Sequence, residues 1–473
     1  MRNLTDLVNA THDVPIEGIT ADSRQVRRGY IFAALPGEKV DGVDYISDAI
    51  HHGAVAVLAP KGAKFPDDAK LPILIESQNP RQDFAFIASK FYDLQPETIV
   101  AITGTNGKTS TASFCQQLWH LSGIESCASI GTLGVRGPGM VRSGSMTTPD
   151  PASLHAELAD LAAVGITHLA MEASSHGLSQ YRLDGVRLMA AGYTNLSHDH
   201  LDYHGDMESY FKSKARLFSE VLSEGSLAVL NADDERFSAL ETICRDKGHH
   251  VLSYGRAGKD IVLKSQTPIP NGQEIDIVIS NEEYRLTLPV VGEFQVYNAL
   301  CALGLTGVAP QLLEQLRGVP GRLQLVPGHS KGAIYVDYAH TPDALSHVLD
   351  ALKPHTDGRL ICLIGCGGDR DVSKREMMGR IASEKADAVI VTDDNPRSEN
   401  PELIRKAVLK GAPGAHEISG RREAIEWGVQ EIKDGGVLLI AGKGHEQGQE
   451  IAGTVHPFND FEEAEKAIER VNI

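Results

Sequence analysis

The chain has no apolar run approaching the roughly 18 residues that a membrane-spanning helix needs. Its opening residues, Met1-Arg-Asn-Leu-Thr-Asp-Leu7, lack the apolar core of a signal peptide. A cytoplasmic protein without a membrane partner is therefore expected. Cysteine is sparse and scattered: Cys115, Cys127, Cys244, Cys301, Cys362 and Cys366 form no CxxC, so neither a zinc ribbon nor a disulfide framework is indicated and reduced thiols are expected. Positive charge is short, with 45 Lys and Arg against 63 Asp and Glu and a formal net charge of −18. That deficit argues against nucleic acid, whose binding needs extended basic surfaces. It leaves room for a small polyanion, because screening beyond roughly 8 Å makes local residues decide. There is no repeat of fixed period and no low-complexity tract. What remains is ordinary globular composition, 42% apolar and 23% charged, over 473 residues, enough for about three domains.

The most informative stretch is Thr103-Gly-Thr-Asn-Gly-Lys-Thr-Ser110. An apolar strand, Thr98–Thr103, precedes it, and a helical run, Thr111 to Leu121, follows and stops at Gly123. A glycine-rich turn between strand and helix frees backbone N–H groups for phosphate. Lys108 adds a point charge, and Thr109 a hydroxyl for Mg²⁺. Ile102 stands where the usual phosphate-loop pattern has its first glycine. The bland alternative is a plain strand–helix turn, but lysine-threonine after the second glycine favours ATP or GTP.

Strand-then-helix alternation through the middle of the chain predicts a parallel sheet, with strands at 166–171, 188–193 and 227–230, and 259–288 reads as an antiparallel excursion. From about residue 319 the pattern restarts, with strands at 333–336, 360–364, 388–391 and 437–440. The expected fold class is therefore α/β: a small α/β N-terminal domain over 1–97, a central phosphate-loop ATPase over 98–322, and a doubly wound Rossmann-like domain over 323–473. Ligands of such sheets sit beyond the carboxyl ends of the strands.

Charged motifs fall at those ends. Glu172 closes a buried strand and is placed to serve a metal beside the phosphate loop. His198-Asp-His-Leu-Asp-Tyr-His204 packs three histidines and two aspartates together, with His200 the favoured ligand. Composition alone makes Lys212 and Lys214, on the amphipathic stretch Ser209–Phe218, solvated surface lysines. In the last domain the motifs are Asp337-Tyr-Ala-His340, Gly365-Cys-Gly-Gly-Asp-Arg370, Asp393-Asp-Asn-Pro-Arg397 and Gly442-Lys-Gly-His-Glu446. Arg370 and Arg397 suit carboxylates, whereas Asp394 and Glu446 suit an ammonium. Together they describe a pocket for a zwitterion with more than one carboxylate.

Gly104-Thr-Asn-Gly-Lys-Thr109, Glu172-Ala-Ser-Ser-His176, His200-Leu-Asp-Tyr-His204, Asp337-Tyr-Ala-His340 and Gly442-Lys-Gly-His-Glu446 resemble the Mur ligases of peptidoglycan synthesis, over essentially the whole chain. Asp394-Asn-Pro-Arg397 resembles the motif of the branch that adds meso-diaminopimelate to UDP-N-acetylmuramoyl-L-alanyl-D-glutamate. The resemblance implies a monomeric ATP-dependent ligase working through an acyl phosphate. It implies a nucleotide site of Gly104, Thr105, Asn106, Gly107, Lys108, Thr109, Ser110, Asn298, Arg322, Asp337 and His340. The implied metal ligands, for two Mg²⁺, are Thr109, Glu172, His200 and a carbamylated Lys214, which overturns the surface reading of that lysine. Ser23, Glu38, Lys39 and Val40 are implied for the UDP moiety, beside Asp22 and Arg24. Thr147, Thr148, Ser174, Gln180 and Arg182 are implied for the muramoyl-dipeptide. Arg370, Asp394, Asn395, Pro396, Arg397, Gly442 and Glu446 are implied for diaminopimelate. Lys108, Lys214, His200, Glu172, Arg322 and His340 carry the expected catalysis. Met146 departs from the family pattern, which has asparagine there.

Lysine lacks the distal carboxylate of diaminopimelate. Bound lysine is expected to leave Arg397 buried and unpaired, a rejection of about 10⁴-fold. The rival readings are a lysine-adding Mur ligase, a folylpolyglutamate-synthetase-like ligase, and a non-catalytic nucleotide switch. The last gives the charged strand ends of the final domain no purpose.

Overall fold

The computed structural model describes residues 2–37, 40–63, 73–144 and 146–471. The chain forms two compact units, one of residues 1–259 and 301–307, the other of 260–300 and 308–473.

The first unit opens with a four-stranded parallel sheet whose strands lie in chain order: Gly18–Thr20, Tyr30–Ala33, Ala54–Pro60 and Ile73–Ser77. Helix Pro80–Tyr92, capped by the Asn79 side chain on the Gln82 amide, seals one face with Phe84, Ile87 and Ala88. A larger parallel sheet follows, ordered Cys127–Gly131, His168–Glu172, Thr98–Thr103, Ala190–Tyr193, Leu227–Asn231, His250–Gly255. The centres of these strands, such as Ile99–Ile102 and Ala228–Leu230, are apolar, as expected of a covered parallel sheet. The phosphate-loop strand thus lies between two strands that come later in the chain. At such a reversal the flanking loops splay apart and open a crevice at the carboxyl ends. Glu172 ends one flanking strand, and Thr194 follows the other.

The second unit holds an antiparallel meander, Ile261–Ile269, Gly272–Ile279 and Glu282–Leu288, in the stretch that reads as an antiparallel excursion. Its main sheet is ordered Gln324–Val326, Gly332–Asp337, Gly436–Ala441, Leu360–Ile364, Ala388–Val391, His416–Glu417, parallel except at the first pair. Two apolar layers pack on its faces, one around Leu345, Leu349 and Met378, the other around Ile425, Val429 and Ile468. A hairpin, Gly448–Ile451 and Thr454–Pro457, follows the last long strand. Among the described residues no helix is long and apolar enough to cross a membrane.

Candidate functional site

In the first unit the turn after Thr98–Thr103 is built on two glycines with φ of +149° (Gly104) and +86° (Gly107). A Cβ on Gly104 would lie 1.9 Å from Thr194 Oγ1, so this position is closed to any side chain. Thr105 and Asn106 are tied down from the neighbouring strand end. Thr105 N donates to Asn195 O at 2.8 Å, Asn106 N to Asn195 Oδ1 at 3.0 Å, and Thr194 Oγ1 to Asn106 O at 2.6 Å. Helix Lys108–Leu121 begins directly after Gly107, earlier than periodicity indicates. Its first residues, Lys108, Thr109 and Ser110, therefore present their amides at the positive end of the helix dipole. Lys108 Nζ folds back on Gly104 O and Thr105 O at 2.8 and 2.9 Å.

Glu172, buried, faces this turn. Its Oε2 accepts from Thr109 Oγ1 at 3.0 Å and Thr132 Oγ1 at 3.2 Å, and its Oε1 from Thr132 N at 2.8 Å. Gly131 has to be glycine, since a Cβ would sit 2.1 Å from Glu172 Oε1. Thr132 also meets Thr147 Oγ1 at 3.0 Å. Thr148 donates to Glu172 O and accepts from Ser174 N and Ser174 Oγ, all within 3.1 Å. Arg182 donates to Thr148 O at 2.7 Å and Gln180 Oε1 at 2.7 Å, and reaches Met146 Sδ at 3.5 Å. The structure thus joins Thr147, Thr148, Ser174, Gln180 and Arg182 to the phosphate-loop acid through one hydrogen-bond chain. Thr132, which no sequence signal marks, links Thr147 to the Glu172 carboxylate, and Thr148 links the others to Glu172 O.

Lys214 is 1% exposed, not a surface lysine. Its ammonium donates to Gly104 O at 2.8 Å and lies 4.3 Å from the Tyr210 ring centroid. Tyr210 in turn donates to Thr105 Oγ1 at 3.2 Å. Among the described residues no carboxylate pairs with Lys214. Burial first, then the Lys108 charge, pushes its pKa well below the usual lysine value. A buried cation beside another cation is costly, and conversion to a carbamate would turn that repulsion into attraction. The residues therefore fit the implied modification.

His200 takes a left-handed backbone (φ +52°) and is exposed, 3.4 Å from Asp199 and 5.1 Å, ring to ring, from His176. His204 is held between Ser175 Oγ at 3.0 Å and Ser213 Oγ at 3.2 Å, and burial lowers its pKa to about 4. Among the described residues no three His, Cys, Asp or Glu side chains form a metal-holding group. A divalent ion at the phosphate loop would rest on Thr109, Glu172, His200 and a modified Lys214.

Ser23 opens a short helical turn capped by Asp22, which also grips the Arg24 guanidinium. Val40 is exposed; Glu38 and Lys39 lie outside the described residues.

In the second unit Asp337 is buried at a strand end. It accepts from Leu323 N at 2.7 Å and Ala339 N at 2.8 Å, while burial raises its pKa. Arg322 lies over the Tyr338 ring, which also meets His340 and His445. His340 Nδ1 donates to Tyr338 O at 2.8 Å, and burial lowers its pKa. Asn298 is buried and donates to Gln295 Oε1, and Gln295 donates to Arg322 O.

The Asp394–Arg397 loop and Gly442–Glu446 converge. Lys443, fully buried, donates to Asn395 Oδ1 and Glu446 Oε2, both at 2.9 Å, and Asn395 Nδ2 donates to the same Glu446 oxygen at 2.9 Å. Among the described residues that closed triangle engages only Glu446 Oε2. Sequence reasoning missed Lys443, although it sits inside a quoted motif. Gly442 (φ +115°) backs against Asp394, and Arg421, paired with Asp460 at 2.7 Å, braces Asp394 from 4.0 Å. Pro396 O accepts from Glu399 N, and Arg370 is exposed.

Arg397 corrects an expectation. It is 21% exposed rather than buried, and it has partners: Gly368 O at 2.8 Å from Nη1, and Glu450 Oε2 at 3.2 Å from Nε. A ligand without a distal carboxylate would not strand this guanidinium.

Three family models match in succession: the Mur ligase family catalytic domain over residues 15–91, the Mur ligase middle domain over 102–306, and the Mur ligase glutamate ligase domain over 321–444. A relative from Rhizobium meliloti (strain 1021), UDP-N-acetylmuramoyl-L-alanyl-D-glutamate–2,6-diaminopimelate ligase, is 50% identical over 463 residues, covering 96% of this chain and 94% of its own. A solved structure of the same description is 34% identical with a TM-score of 0.74, covering 100% and 99% of the two chains. A Mycobacterium tuberculosis folylpolyglutamate synthase complexed with ADP and AMPPCP, 18% identical, shares the fold with a TM-score of 0.59 over 75% of this chain and 90% of its own. The chain belongs to the Mur ligase family.

Proposed function

We propose that this Mur ligase joins meso-diaminopimelate to the D-glutamyl carboxylate of UDP-N-acetylmuramoyl-L-alanyl-D-glutamate with the turnover of ATP to ADP and phosphate. The supporting observation is the two-signed pocket of the second unit. There Arg397 and Arg370 bring guanidinium groups, while Glu446 accepts from Lys443 at 2.9 Å and Asp394 lies 4.0 Å from Arg421. A diamino diacid matches both signs. Full-length identity to a ligase of that name supports the same substrates.

A carboxylate is a poor electrophile, so it is first phosphorylated; phosphate then leaves when the amine attacks. The turn 104–110 and Lys108 hold the phosphates, which is a task of positioning and charge neutralisation. Asn298 and Arg322 are assigned to adenine and the terminal phosphate, and Asp337 and His340 to ADP. Thr109, Glu172, His200 and a carbamylated Lys214 would hold magnesium, which would supply charge neutralisation beside the phosphates. Thr147, Thr148, Ser174, Gln180 and Arg182 grip the dipeptide, and Ser23, Val40, Glu38 and Lys39 the uridine diphosphate. The attacking amine has to be neutral and loses a proton on forming the amide. His340, its pKa lowered by desolvation and its Nδ1–H committed to Tyr338 O, offers Nε2 as the acceptor. We assign the three domains to 1–97, 98–322 and 323–473, acting as a monomer in the cytoplasm.

The test is ADP release with each substrate omitted in turn. Release that requires ATP, the UDP-muramoyl-dipeptide and diaminopimelate together supports the reading. Release that needs neither acceptor nor amine favours a nucleotide switch, and faster turnover with lysine favours the lysine-adding branch.

A further inference from the structure

Arg397 is held in an unusual way for a residue that is to receive a ligand. Its backbone is left-handed, with φ of +53°. The neighbouring hairpin fixes it there: Arg397 N donates to Glu450 O at 3.0 Å, and Ala452 N donates to Arg397 O at 2.8 Å. A non-glycine residue in that region persists only where its surroundings over-determine it. The same hairpin grips the rest of the loop, through Gln449 Nε2 on Asp394 O at 2.6 Å and Glu450 N on Asn395 Oδ1 at 3.0 Å. Four hydrogen bonds therefore tie hairpin and loop together, and backbone geometry brings the Glu450 side chain to Arg397.

The guanidinium is flanked on two sides. Gly368 O takes an Nη1 proton, and the Glu450 carboxylate stands 3.2 Å from Nε. Asp369 is also near but spends its oxygens on Ser398 N and Ser398 Oγ. Glu450 is thus the carboxylate that pairs with Arg397, and it occupies the Nε edge, one of the two edges through which arginine takes a carboxylate bidentately.

We propose that Glu450 tunes amino-acid selectivity: it is a carboxylate of the chain's own at the place where the substrate's distal carboxylate has to bind. This rests on the reading that Arg397 receives that carboxylate. Two consequences follow from charge alone. Diaminopimelate brings a second anion to a guanidinium already paired, so its binding is weakened by like-charge repulsion. Lysine, with an ammonium and no carboxylate at that end, leaves Arg397 still partnered and gains from the nearby anion. Glu450 therefore narrows the gap between the two amino acids, and rejection of lysine falls short of what a bare guanidinium would enforce.

The experiment compares wild type, Glu450→Gln and Arg397→Ala in steady-state assays, with diaminopimelate as substrate and with lysine as both substrate and competitive inhibitor. The KM for ATP is measured alongside. Glu450 is 40% exposed, so the amide fits without repacking. Glu450→Gln is expected to raise kcat/KM for diaminopimelate by about two- to fivefold, the range for an ion pair at this exposure. It is expected to weaken lysine by a similar factor and to move the ATP KM by less than about twofold. Unchanged or reduced kcat/KM for diaminopimelate in Glu450→Gln overturns the proposal. If Arg397→Ala leaves the preference for diaminopimelate intact, the reading of Arg397 falls. If Arg397→Ala abolishes the preference and Glu450→Gln does nothing, the proposal about Glu450 falls alone.

Discussion

Replacing Lys214 with methionine removes a cation that, among the described residues, pairs with no carboxylate and feels only the more distant Asp199. The stem of the side chain stays, so packing against Tyr210 is retained. Burying an ammonium costs several kcal/mol. Against this stand one hydrogen bond to Gly104 O, of about 1 kcal/mol, and the Tyr210 ring contact, of at most about 2 kcal/mol. Unmodified protein should therefore gain about 1–3 kcal/mol on the substitution. The sign agrees with linkage: a lysine with a depressed folded pKa binds fewer protons folded than unfolded. Its penalty is present at neutral pH and disappears as pH rises toward the ordinary lysine value of 10.5. Activity should move the other way, falling by about 10³-fold, because a metal ligand is lost. The assay pairs thermal melting in bicarbonate-free buffer with ADP release in bicarbonate. Lys214→Ala should regain part of its activity with acetate, which fills the space and restores an anion. A Lys214→Met protein that is both less stable and fully active would refute the reasoning.

Gly104→Ala should weaken ADP binding in calorimetry by about 10²-fold or more, because the added carbon meets Thr194 Oγ1 at 1.9 Å in a left-handed turn; near-native affinity would show that the turn does not hold phosphate. Lys443→Met should raise the KM for diaminopimelate by about tenfold, by releasing Glu446 and Asn395, and shift the ATP KM far less; equal shifts in both would mark the lysine as purely structural. His155 is buried, with Nε2 donating to Asp184 O at 3.0 Å and its pKa lowered to about 4 from 6.5. The unfolded chain binds the extra proton between those values, so stability is full above pH 6.5 and falls by about 3 kcal/mol on acidification to pH 4. His155→Gln should flatten that slope in urea titrations at successive pH values; an unchanged slope would remove His155 as its source.

Periodicity carried the fold far because the central strands of the large sheets are parallel and covered, so their middles are apolar runs. Thr98–Thr103, Leu360–Ile364 and Ala388–Val391 lie where the residues place them. Boundaries slipped where capping is unusual. The phosphate-loop helix starts at Lys108 because Gly107, not a polar cap, turns the chain into it. Lys214 reads as solvated by composition, and only the return of its helix, Met207–Arg216, onto Gly104 buries it. Thr132, Lys443 and Glu450 were illegible for a shared reason: each acts on a residue distant in the chain, and neither spacing nor residue type announces such a partner. Arg397 is the instructive case. Its motif was plain, but its counter-ion comes from a hairpin more than fifty residues later, and that changes the selectivity expected of it.

In the proposed reaction the acid group is activated by phosphoryl transfer before the amine attacks. Supplying UDP-N-acetylmuramoyl-L-alanyl-D-glutamate with ¹⁸O in the glutamyl carboxylate tests it directly. One labelled oxygen is expected in each inorganic phosphate released during tripeptide formation. Product formed with unlabelled phosphate would contradict it.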